Sequence, residues 1–103
     1  MDTSGARLTF TLVEDRVSVS GEIDASTCES FNDWLDQHGA GGCIIVDMAE
    51  VTFIDSSGLR VLITHHQQAV ADGRSFELAN PSPAVQRLFE ITGLTDVLHI
   101  RST

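Results

Sequence analysis

Cys43-Ile44-Ile45-Val46 is apolar at every position, and a second apolar run, Val51 to Ile54, follows a few residues later. An unbroken apolar run suits a strand covered on both faces, which is the habit of parallel sheets. The second run stops at Asp55-Ser56-Ser57-Gly58, and a helical spacing of apolar residues begins at once. Leu59, Leu62, Ile63, His66 and Val70 share one helix face, and Asp72-Gly73 ends it. A buried strand handing over directly to an amphipathic helix is half of a βαβ unit.

The rest of the chain repeats the alternation. Leu8, Phe10 and Leu12 alternate with Thr9 and Thr11. After a break at Glu14-Asp15, Val17 and Val19 alternate with Arg16, Ser18 and Ser20, so the two runs predict an antiparallel hairpin. Cys28, Phe31, Leu35 and His38 recur at helical spacing, with Trp34 beside them and Gly39 as the stop. Phe76 to Ala79 reads as a strand. Ser82 is placed to cap a helix that opens with Pro83, carries Val85, Leu88 and Phe89, and ends at Gly93. Val97 to Ile100 is a last strand. The order β-β-α-β-α-β-α-β predicts an α/β fold: a small mixed sheet, an N-terminal antiparallel hairpin then parallel βαβ strands, with helices packed on it.

Composition narrows the function. A chain of 103 residues suits one small domain. Fifteen acids against six bases give a net charge of −9, which repels nucleic acid and anionic membrane and suits a partner with a basic surface. No basic, apolar leader opens the sequence, and no run approaches the ~20 apolar residues of a membrane span, so a cytoplasmic protein is the expectation. Cys28 and Cys43 do not make a disulfide framework and read as small core residues.

The junction at Asp55-Ser56-Ser57-Gly58 is where chemistry is concentrated. A serine there can be a helix cap. The free amides and dipole of a helix start also favour negative charge, so a phosphate on one hydroxyl would be tolerated by the fold. Gly58 keeps the approach open. Arg60, in the first turn, opposes the dipole; it reads as a solvated cation, a partner contact, or a counter-charge to Asp55 or to a phosphate. A serine hydrolase is disfavoured, because Ile54 stands where G-x-S-x-G needs its first glycine. His38, His65, His66 and His99 have no metal-ligand spacing, and no nucleotide-binding loop is present, so no metal, cofactor or catalytic residue is expected.

Three segments together resemble the STAS domain, in particular the bacterial anti-anti-sigma factors (anti-sigma factor antagonists). They are Val19-Ser20-Gly21-Glu22-Ile23-Asp24, Thr52-Phe53-Ile54-Asp55-Ser56-Ser57-Gly58-Leu59, and Ser82 to Phe89 with Thr92-Gly93-Leu94. The resemblance spans about residues 7 to 101 and implies a short flexible tail at 1–6 and a single STAS domain at 7–103. It further implies a phospho-switched binding protein. The unphosphorylated form docks on an anti-sigma factor that is also a serine kinase of the histidine-kinase-like ATPase fold, which frees a sigma factor. Phosphorylation releases it, and a PP2C-type phosphatase resets it. Ser56 maps to the acceptor, leaving Ser57 as the helix-cap partner. Asp24, Asp55, Ser57, Gly58, Leu59 and Arg60 map to the partner-binding surface. Many phosphorylatable relatives carry a small residue where Arg60 stands, which marks Arg60 as a specificity residue. Within the same fold, a STAS adaptor bound to a transporter ATPase or a stress-complex scaffold is the alternative.

Overall fold

The computed structural model describes residues 8–13, 16–38 and 44–101. The expected tail at 1–6, the break at Glu14-Asp15, the Gly39 stop and the Cys43 strand start lie outside the described residues.

The described elements are β1 (Leu8–Val13), β2 (Arg16–Ile23), α1 (Cys28–His38), β3 (Ile44–Ile54), α2 (Ser56–Asp72), β4 (Phe76–Ala79), α3 (Pro83–Thr92), a 3-10 turn (Leu94–Asp96) and β5 (His99–Arg101). The five strands form one sheet in the order β1-β2-β3-β4-β5. β1 and β2 are antiparallel, and every later pairing is parallel. This is the mixed sheet that the alternation of patterns predicts.

The period-2 pattern of β2 decides its orientation. Val17 and Val19 are buried while Ser18 and Ser20 are exposed. Val17 lies opposite Val46 of β3, and Val46 opposite Leu78 of β4. These residues join Met48, Leu62, Phe31, Leu35, Val85 and Phe89 in one core. Each such side chain contributes roughly 1.5–3 kcal/mol on burial. Phe10 of β1 stacks on Trp34 of α1 at 5.0 Å and on Phe31 at 6.2 Å, which fastens the hairpin to the first helix.

The two apolar runs form one strand, β3, as the predicted order has it, and two other details differ from the sequence reading. The polar step at Asp47 to Glu50 is absorbed by a register shift, since Ser18 pairs with Asp47 but Ser20 with Glu50. The inward stripe of α2 is Gly58, Leu59, Val61, Leu62 and Ala69, whereas Val70 is 64% exposed. The cause is Gly58. A Cβ built there would lie 2.6 Å from Ile23 Cγ2 and 2.7 Å from Ile54 Cγ1, so the bare backbone seats against both strands and sets the helix rotation. Last, β5 starts at His99 rather than Val97, because Leu94–Asp96 coils first and leaves Val97 exposed.

Candidate functional site

β2 and β3 are parallel and end side by side. Ile23 is in register with Ile54, and the Asp55 N–H donates to the Ile23 carbonyl at 3.1 Å. Asp24 and Asp55 therefore leave the sheet at the carboxyl ends of adjacent strands, the rim where α/β sheets commonly place their sites.

The two acids do different things there. Asp24 Oδ1 accepts from the Ser26 N–H at 2.9 Å and from the Ser26 hydroxyl at 2.7 Å, which makes a tight turn. Thr27 locks that turn. Its buried hydroxyl donates to the Glu22 carbonyl at 2.8 Å and accepts from the Asp24 N–H at 2.9 Å. Nothing in the sequence distinguishes Thr27 from its neighbour Ser26; only the fold shows which hydroxyl is turned inward.

Asp55 is the N-cap of α2. Its backbone is extended, and Oδ1 accepts from the N–H groups of Ser57 at 2.9 Å and Gly58 at 3.3 Å. This corrects the expectation that Ser57 caps. A cap side chain must leave the chain just before the first helical residue to reach the second and third amides, and Asp55 occupies that position. Ser57 is already inside the first turn and half-buried. The expectation of free amides changes too. Two of them are held by a carboxylate, so a charge on Ser56 would meet Asp55 rather than an empty cradle.

Because an aspartate caps, Ser56 has no structural duty. It is the first residue of α2, it is exposed, and among the described residues its hydroxyl makes no hydrogen bond. Leu59 is buried, with its N–H closing the first helical bond to the Asp55 carbonyl at 3.0 Å. Arg60 is exposed and makes no ion pair among the described residues. Ser56, Leu59, Arg60 and Ile63 line an open groove of about 310 Å³, closed on its far side by Thr92 and Leu94. The fold thus brings Ser56, Leu59 and Arg60 to one surface. Asp55, Ser57 and Gly58 form its support, and Asp24 stands at the neighbouring strand end. Thr92 and Leu94 came to notice in the sequence only as part of the C-terminal segment. Their place in the groove is long-range and carries no local signal.

His65, His66 and His99 make their contacts elsewhere. His65 Nε2 donates to Asn32 Oδ1 of α1 at 2.9 Å, lies 3.6 Å from Asp36 Oδ1, and its ring stacks on Phe76 at 6.0 Å. Burial lowers its pKa from the ordinary 6.5, with Arg74 adding to the effect. Asp36 opposes the shift, but that carboxylate is largely exposed and screened. His66 meets His99 edge to face at 5.1 Å. Among the described residues no cluster of His, Cys, Asp or Glu has the makings of a metal centre, and no helix is long and apolar enough to cross a membrane.

Comparison with known proteins bears on this geometry. A family model described as the STAS domain matches residues 13–103. The anti-sigma-B factor antagonist of Listeria monocytogenes is 34% identical over 88 residues, which cover 84% of this chain and 77% of that protein. The crystal structure of an anti-sigma factor antagonist from Mycobacterium paratuberculosis superimposes with a TM-score of 0.76 at 25% identity, covering 93% of this chain and 85% of that one. The Bacillus cell fate determinant SpoIIAA, solved in its phosphorylated form, shares the fold, with a TM-score of 0.67 at 24% identity over 93% of this chain and 91% of that one.

Proposed function

The chain belongs to the STAS domain family, and from that premise we propose that it is an anti-sigma factor antagonist switched off by phosphorylation of Ser56. The unphosphorylated protein binds an anti-sigma factor serine kinase of the histidine-kinase-like ATPase fold in the cytoplasm and displaces a sigma factor. The kinase then modifies Ser56 and the complex parts. A PP2C-type phosphatase restores the first state. The protein acts as a binding switch, not a catalyst.

One observation carries this reading. Ser56 is an exposed hydroxyl on a rigid helix start whose capping is done by its neighbour Asp55. The relatives' names and the phosphorylated state of SpoIIAA support it. Electrostatics supplies the switch. Phosphorylation adds about −1.5 to −2 charges next to Asp55 on a chain already at −9. A tenfold loss of affinity needs only about 1.4 kcal/mol, and one buried like-charge contact in a docked complex is of that size. No large conformational change is required.

The test is intact-protein mass after incubation with Mg-ATP and lysate of the source organism. Wild type should gain one phosphate and Ser56→Ala none. Equal gain in the two proteins would move the acceptor to another residue. No gain in either, with an ATPase held stably by both, would replace the switch with a constitutive contact.

A further inference from the structure

We infer that Arg60 is the internal counter-charge of phosphorylated Ser56. On modification its guanidinium turns along the helix to bind the phosphate and leaves the mouth of the apolar groove. The inference rests on the proposed switch and names how this chain holds its phosphorylated state.

Three observations place the pair. Ser56 and Arg60 are four residues apart in one α-helix, a spacing that puts their Cβ atoms about 5–6 Å apart on the same face. Both line the same groove, so the two residues share one surface as well as a helical register. Arg60 has no ion pair among the described residues, and the acid nearest in sequence, Asp55, accepts from the amides of Ser57 and Gly58. The order is also the favourable one, with the anion toward the helix N-terminus and the cation one turn on. A phosphate offers three strong acceptor oxygens, and the planar guanidinium can take two of them at once.

The other groove-lining residues, Leu59, Ile63, Thr92 and Leu94, carry no charge. The acids at this rim are Asp55, the N-cap of the same helix, and Asp24, just past the end of the neighbouring strand. Both raise the second phosphate pKa, whereas Arg60 lowers it. A partner seated on this groove therefore loses twice on phosphorylation: it meets new negative charge, and the cation it faced has been taken.

The experiment uses full-length protein with phosphoserine installed at position 56 by genetic-code expansion, titrated by phosphorus NMR beside the same protein carrying Arg60→Gln or Arg60→Lys. The expected result is a second phosphate pKa at least about 0.3 unit lower with Arg60 than with Gln, the size of a helical i, i+4 ion pair. Lysine should fall between them. Equal values for arginine and glutamine would overturn the inference. Arg60 is exposed, so the substitutions leave the fold intact, which circular dichroism verifies. Because the phosphate is installed directly, this outcome is separate from the switch itself. A protein that no kinase modifies at Ser56 would sink the proposed function while the pairing could still be measured.

Discussion

Two helices of this fold begin beside a serine, and they use it in opposite ways. At the start of α3, Ser82 holds the N-cap position but makes no cap hydrogen bond. Its half-buried hydroxyl donates instead to the Val51 carbonyl of β3 at 2.6 Å, and Pro83, lacking an N–H, reduces the need for a cap. At the start of α2, Asp55 takes the capping role, and Ser56 is left exposed with nothing to hold. A serine that braces the fold cannot be modified without breaking a contact. A serine relieved of that duty can. Position makes the difference: Ser82 stands before its helix, whereas Ser56 stands just inside its own, behind an aspartate that caps.

The sharpest way to break this comparison is at Gly58, which mounts the start of α2 on the sheet. Gly58→Val should cost about 1–3 kcal/mol in urea unfolding, because Ile23 and Ile54 are buried and cannot give way. No loss would mean that the helix start is not seated as described. Next come the braces. Asp55→Ala should cost about 1 kcal/mol through the lost cap, and Ser82→Ala about 1 kcal/mol by removing the hydrogen bond to the Val51 carbonyl. A neutral Ser82→Ala would erase the contrast with Ser56.

A pH-dependent contribution to stability sits two turns along α2, at His65. Burial favours neutral His65 in the folded chain, so the unfolded chain takes up the proton first. The contribution of His65 to stability is full above pH 6.5 and falls as the pH drops through and below that value. His65→Gln should flatten this part of the curve, and an unchanged slope would assign acid sensitivity to other groups. The smallest effect belongs to Ser56→Ala, within about 0.5 kcal/mol of wild type. A larger loss would show that Ser56 has a structural role after all.

The element order and the location of the junction were legible because both are local patterns. Alternation at Val17 and Val19 and glycines at the ends of α2 and α3 speak for themselves. Three things were not. Val70 fits the helical period, yet Gly58's close seat turns the helix away from it. Ser57 and Asp55 are both good caps by type, and only backbone conformation chooses between them. The groove joins α2 to Thr92 and Leu94, some thirty residues on, which no window of sequence contains.

The hydrogen bond from the Asp55 amide to the Ile23 carbonyl has a consequence for recognition. It welds the helix start to the end of a strand before any partner arrives, so the ordering entropy of the segment around Ser56 is already met by folding. An enzyme acting on Ser56 would read a finished shape, not thread a loose chain through its cleft. Under the proposed switch, a free peptide copying residues 50–62 should be a far poorer substrate than the intact domain. Under that same switch, any injury that frays this corner should abolish modification of Ser56 even with every neighbouring side chain still present.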